Sequence, residues 1–315
     1  MTDDGSHPAA PRERLLAALQ HVTPQRLLTA LMHRATRVRW RAWKDVQIRW
    51  FMRRYDVDLS DARFAEATAY EHFNAFFTRA LRAGARPLEA RAHALLSPAD
   101  GCVNAIGDVR DGELLQAKGR RYRLETLLGG DSERAALFER GAFASIYLAP
   151  RDYHRVHMPL DGRLREMTYV PGRLFSVNFA TARAVDGLFA RNERLVCLFD
   201  GAHGPMAVIL VGAMIVAGLE TVWSGAVTPP HGKVARTWRY APGNGNGSGD
   251  GDGGAVRLAG GAEMGRFNVG STVIVLLPPG CVRWRADLEA GSAVRVGETL
   301  GDLVSGARYQ SAAES

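Results

Sequence analysis

The sequence predicts an α+β protein, with amphipathic helices at its N-terminus and a β-rich domain after them. Up to about residue 86, apolar residues recur at helical spacing: Leu15, Leu16 and Leu19, then Leu27, Leu28, Leu31 and Met32. Beyond Arg86-Pro87 that period fades, and short Val-, Ile- and Leu-rich runs bounded by glycine replace it. With 315 residues, 46% hydrophobic and 23% charged, the chain can bury a large core. This composition excludes a wholly disordered or collagen-like chain.

Residues 1–10 (MTDDGSHPAA) are small and polar and are expected to form a loose tail. The helical region then spans 11–86, with Thr23-Pro24 reading as an N-cap followed by proline at the first helical position. Between Arg34 and Arg54, basic residues are interleaved with Trp40, Trp43, Trp50 and Phe51, and Asp45 is the only acid. A second helical run is expected over 61–81, carrying Phe64, Tyr70, Phe73, Phe76 and Phe77. In the β-rich domain, 87–315, strands are expected at 101–106, 142–148, 195–199 and 273–277, and as a pair with a turn or bulge across 206–216. Short helical pieces are expected near 124–128 and 131–139. The glycine-rich segment 243–254 (GNGNGSGDGDGG) reads as a flexible loop. Its Asp250 and Asp252 lack the closing glutamate of an EF-hand calcium loop.

Several function classes are excluded. The longest apolar stretch, 206–219, is interrupted by Gly212 and Gly218 and falls short of the ~20 residues of a spanning helix. No charged-then-apolar signal peptide precedes it. Cys102, Cys197 and Cys281 are odd in number and far apart, so neither a disulfide framework nor a zinc site is expected, and a reducing compartment is the default. Gly232-Lys233 is followed by Val234, which rules out a P-loop; there is no HExxH pair, and no metal is expected. A net charge of +7 favours an anionic partner.

Three segments carry chemistry. SPADG (97–101) places Asp100 in a tight turn entering a strand. YLAPRDYHRVHMP (147–159) sets His154 and His157 three residues apart beside an arginine, and GRFNVGST (265–272) puts Ser271 after Gly270 at the start of an apolar strand. Each has a bland reading, as a turn or a hydrogen-bonded loop. An Asp, a His and a Ser on three loops also compose a charge-relay triad.

Taken together, these segments resemble the phosphatidylserine decarboxylase proenzymes, a family that makes its own pyruvoyl group. The resemblance runs from about Phe76 to Leu303 and also takes in FFTRAL (76–81), PGRLFSVN (171–178) and NERLVCLF (192–199). The sequence departs from it in the glycine-rich loop and the first 75 or so residues. The resemblance implies that His157 deprotonates Ser271 while Asp100 holds the imidazole. Self-cleavage at Gly270–Ser271 then yields chains 1–270 and 271–315 and leaves a pyruvoyl cofactor in place of Ser271, whose ketone condenses with the substrate amine. His154 is the candidate proton donor, and Tyr147 and Phe175 are candidate substrate-binding residues. The implied reaction converts phosphatidylserine to phosphatidylethanolamine and carbon dioxide, at the cytoplasmic side of the cell membrane as a peripheral protein. Expected partners are phosphatidylserine, an anionic membrane surface met by the Arg/Trp cluster, and a second copy of the chain as a homodimer; nucleic acid is not expected. The pattern at Pro159–Gly162 and in 290–301 is similar to lipoyl- or biotinyl-type sandwich halves. It raises the alternative of a non-enzymatic binding module, but Lys233, the only lysine after Lys118, lacks a carrier's flanking pattern. A further alternative is a pyruvoyl-dependent decarboxylase of a soluble amino acid.

Overall fold

The computed structural model describes residues 11, 19–20, 23, 25–89, 93–117, 120–213, 218–229, 231–240, 255–268 and 271–304. The expected tail (1–10), the glycine-rich loop (243–254) and Gly270 lie outside them. The described residues form an α+β fold. The long helices come first and several antiparallel sheets follow.

Two helices, Gln25–Ala35 and Arg41–Tyr55, precede the β-rich part. The second turns Lys44, Ile48 and Phe51 inward at i, i+4 and i+7, and leaves Trp43, Val46 and Trp50 exposed on another face. It stops at Asp56, which takes the left-handed conformation and returns its N–H to the Met52 carbonyl. The long helix expected over 61–81 does not form; only Ala67–Ala69 (3-10) and Phe73–Phe77 are helical. The Asp58 carboxylate accepts from both Ser60 N–H and Oγ, and a bridge between Ala62 and Leu81 closes the segment into a loop. The aromatic spacing serves a ring cluster instead: Phe73, Phe76 and Phe77 lie 5.1, 6.1 and 5.8 Å from Phe51.

The β-rich part is built on a nine-stranded sheet. Its central strands are Arg194–Gly201, Gly204–Val211, Ser271–Leu277, Ala142–Leu148 and Gly101–Asp108, each antiparallel to the next. These strands are apolar on both faces because both are covered. Val208, Leu210, Val273 and Val275 enter one core, while Ile209, Val211, Ile274 and Leu276 enter another. A four-stranded sheet pairs Arg155–His157 with Glu263–Phe267, and the latter with Leu219–Thr221. That pairing sets the two histidines beside the segment leading into Ser271. The strand expected from Val273 begins two residues earlier, at Ser271.

Candidate active site

Asp100 ends a turn pinned on two sides. Ser97 Oγ donates to the Ala99 carbonyl (2.8 Å), and the Pro98 carbonyl accepts the His157 N–H (2.8 Å). Glycine must follow, since a Cβ at residue 101 would fall 2.2 Å from the Tyr147 carbonyl on the neighbouring strand. The Asp100 carboxylate is buried and fully engaged. Arg86 Nε and Nη2 donate to it at 3.0 and 2.5 Å, and the Val296 N–H donates at 2.9 Å. Arg86 also reaches Asp61 (2.7 Å), and the two carboxylates push its pKa up.

His157 closes the strand Arg155–His157. Its Nδ1 lies 2.7 Å from the Gly261 carbonyl, which can only accept, so Nδ1 carries the proton. Nε2 is then the lone-pair nitrogen, and the Tyr153 hydroxyl donates to it at 3.0 Å. Burial lowers the His157 pKa; the Gly261 hydrogen bond and the charges of Glu263 and Asp100 offset this only in part. The ring is therefore a neutral base at neutral pH. No hydrogen bond joins Asp100 to His157: the Gly261 carbonyl orients the imidazole, and Asp100 acts on it through space.

Ser271 opens a central strand, in register with Leu148. It is wholly buried, and among the described residues its Oγ has no hydrogen-bond partner, His157 included.

Residues 73–302 match the family described as phosphatidylserine decarboxylase, and residues 15–56 match a second family, described as PSD. Curated relatives agree. The chain is 53% identical to a phosphatidylserine decarboxylase proenzyme of Ectopseudomonas mendocina (strain ymp), covering 92% of this chain and 99% of that one. It is 52% identical to the proenzyme of Stutzerimonas stutzeri (strain A1501), over 92% and 95% of the two chains. For the proenzyme of Pseudomonas aeruginosa (strain UCBPP-PA14) the identity is 54%, over 92% and 97%. The chain belongs to the phosphatidylserine decarboxylase family.

A family member acting on a lipid headgroup needs room beside its serine. A cavity of about 610 Å³ is lined by Asp100, Arg86, Arg79, Tyr153, Tyr147 and Ala149, among others. Tyr147 and Ala149 flank Leu148, the strand partner of Ser271, so this cavity adjoins the head of the serine's strand. Burial pushes the Tyr147 hydroxyl up to about 12. Phe175 is not part of the lining. It is a core side chain with the Arg173 and Arg191 guanidinium groups over its ring.

His154 lies fully buried, stacked on Phe77 at 4.0 Å. The Ala149 and Pro150 carbonyls are near its ring, but neither nitrogen makes a hydrogen bond of good geometry among the described residues. Burial, with the Arg79 charge adding to it, lowers its pKa from 6.5 to about 3. This has a stability consequence. Below pH 6.5 the unfolded chain binds a proton that the folded ring refuses, so folding stability falls by ~1.4 kcal/mol per pH unit until about pH 3. His154→Gln removes that contribution. Denaturant melts from pH 7 to pH 4 should therefore show a shallower loss of stability for the variant, and equal slopes would refute the buried neutral ring.

Sequence reasoning missed Tyr153, Gly261 and Arg86. Tyr153 carried a local signal, four residues before His157 in the same motif. Gly261 acts through its backbone carbonyl, which no side-chain pattern marks, and Arg86 pairs across 14 residues.

Proposed function

We propose that this protein converts phosphatidylserine to phosphatidylethanolamine and carbon dioxide, using a pyruvoyl group made from its own Ser271 by self-cleavage at Gly270–Ser271. The observation that carries this reading is Ser271 itself, buried at the head of a central strand with its hydroxyl unpartnered among the described residues. The buried hydroxyls of Ser145 and Thr272 also lack a partner; Ser271 differs in heading its strand directly after Gly270, next to the backbone carbonyl its oxygen would attack. In this reading His157 takes the Ser271 proton at Nε2. Asp100, nearby and negative, raises the proton affinity of the ring as that transfer proceeds. The serine oxygen attacks the Gly270 carbonyl, and the amide becomes an ester. β-Elimination and hydrolysis then release ammonia and leave chains 1–270 and 271–315. The pyruvoyl group supplies an electrophilic carbonyl for the substrate amine and an electron sink when carbon dioxide leaves. His154 is the proposed proton source for the carbon left behind. His154 itself does not line the cavity, but Ala149 and Tyr153 of the same segment do.

Intact-mass measurement tests this. The purified active protein should give two chains, with the smaller one lighter than a serine-ended 271–315 fragment by one ammonia. A single uncut chain in fully active enzyme would sink the proposal.

The N-terminal helices support a lipid substrate and a peripheral position on a membrane. Leu27, Leu31, Trp40, Trp43, Val46 and Trp50 are exposed among exposed arginines at 34, 39, 41, 49, 53 and 54. Among the described residues no helix is long and apolar enough to cross a membrane. Arg37 is set apart from this surface: its Nη1 donates back to the His33 carbonyl (3.3 Å), and it feels the charge of Glu220.

A further inference from the structure

Asn268 is the last described residue before Ser271, and it is fixed on every side. Its backbone N–H donates to the Gly218 carbonyl (3.0 Å). Its Oδ1 accepts from Asn74 Nδ2 (2.9 Å), and its Nδ2 donates to Glu220 Oε1 (2.9 Å). Glu220 is held in turn by Arg266 Nε at its other oxygen (2.6 Å). Asn74 belongs to the helix Phe73–Phe77, and its N–H donates to the Thr36 carbonyl just past the helix Gln25–Ala35. Asn74 and Asn268 are both buried. A polar chain thus runs from the N-terminal helices through the interior to a point two residues before the Gly270–Ser271 bond.

Such a chain is costly to assemble, because buried amide groups must be partnered, and Asn74 Oδ1 is left without a partner among the described residues. Hydrophobic side chains would fill the same volume without that demand. What the chain provides is fixed position. Asn268 is clamped on one side of the scissile bond and Ser271 is held in register with Leu148 on the other, with only two residues between. Acyl transfer within a backbone is sensitive to the placement of the attacked carbonyl, and a displacement of about 1 Å costs ~10²-fold in rate.

We infer that Asn268, clamped by Asn74 and Glu220, is a positioning residue for self-cleavage, and that docking of the N-terminal helices therefore sets the maturation rate. This rests on the self-cleavage reading above. It adds that the helical region takes part in processing as well as in membrane attachment.

The test follows conversion of newly synthesised full-length chains to the two fragments by gel, for wild type, Asn268→Ala, Asn74→Ala and the double variant. Each single variant should convert about tenfold or more slowly, and the double no more slowly than the slower single, because both break one linkage. Glu220→Gln keeps an oxygen to accept from Asn268 and should convert within about twofold of wild type, while Glu220→Ala should be slow. Once matured, every variant should decarboxylate phosphatidylserine with the wild-type kcat, a split that a general loss of structure does not produce. Conversion of Asn268→Ala at the wild-type rate would overturn the inference, and so would a matching fall in the kcat of its matured fraction. If Asn268→Ala does not accumulate, Asn74→Ala gives the same reading by removing only the donor. A wild-type chain that never converts overturns the self-cleavage reading itself.

Discussion

Replacing His157 with alanine should leave the 315-residue chain uncut and without decarboxylase activity. The ring is a neutral base with a defined lone pair, since the Gly261 carbonyl fixes the proton on Nδ1 and Nε2 accepts from the hydroxyl of Tyr153, a residue of the cavity wall. On the proposed self-cleavage reading, its loss takes away the group that accepts the Ser271 proton. A positioned general base contributes ~10²–10⁴-fold in rate, so maturation should slow by about that factor. Ser271→Ala should abolish cleavage outright, as it removes the nucleophile. His154→Ala should separate the two reactions, with cleavage proceeding and turnover falling by ~10²-fold or more, because His154 is proposed to act only on the substrate carbon. Gels, intact mass and carbon dioxide release from carboxyl-labelled phosphatidylserine read all three. A cut and active His157→Ala variant, or an uncut His154→Ala variant, would overturn these assignments.

Asp100 calls for a different control. Its carboxylate balances the partly buried Arg86 guanidinium and accepts from the Val296 N–H, and it makes no bond to the imidazole. Asp100→Ala strands Arg86 with Asp61 alone and should cost ~3–5 kcal/mol of folding stability, the usual result of removing one member of a buried pair. Asp100→Asn keeps the shape and an acceptor while losing the charge. If the through-space effect on His157 is what matters, the Asn variant should mature slowly with its melting temperature less affected than that of Asp100→Ala.

The parts of the molecule legible in its sequence are those with local causes. Apolar runs between glycines gave the central strands, and the SPADG, HRVH and GST segments gave the side chains that surround the serine's strand. The 61–81 region misled because aromatic residues at i, i+3 and i+4 suit both a long helix and a compact ring cluster. Only the position of Phe51, more than 20 residues earlier, decides between them. The partners of His157 were hidden for another reason. A backbone carbonyl at Gly261 has no residue-type signature, so the sequence assigned to Asp100 the orienting hydrogen bond that the structure gives to Gly261. Phe175, named as a candidate substrate-binding residue, has its ring packed in the core, a burial that its position in the sequence does not mark.

Attachment to anionic vesicles should have a salt-sensitive and a salt-resistant part, each assigned to different side chains of the helix Arg41–Tyr55 and its approach. Trp40 and Trp50 are the most exposed of the cluster's tryptophans, at 70% and 61%. Trp43 donates from Nε1 to the Ala35 carbonyl (3.2 Å) and is 43% exposed, so its replacement would also loosen the helix pair. Burying ~100 Å² of each indole contributes ~2.5 kcal/mol, a term that salt does not screen. Each arginine near the surface contributes ~1 kcal/mol, screened over ~8 Å at physiological ionic strength. Trp40→Ala with Trp50→Ala should therefore reduce binding by ~10³-fold or more at every salt concentration and abolish it at high salt. Arg41→Glu with Arg53→Glu should weaken binding mainly at low salt. Neither pair touches the Asn74–Asn268 linkage, so both should mature at the wild-type rate. Co-sedimentation with phosphatidylglycerol-containing vesicles across a salt series checks this. Unchanged sedimentation in both double variants would mean that the exposed stripe packs against a protein partner, and the lipid-facing assignment would fall.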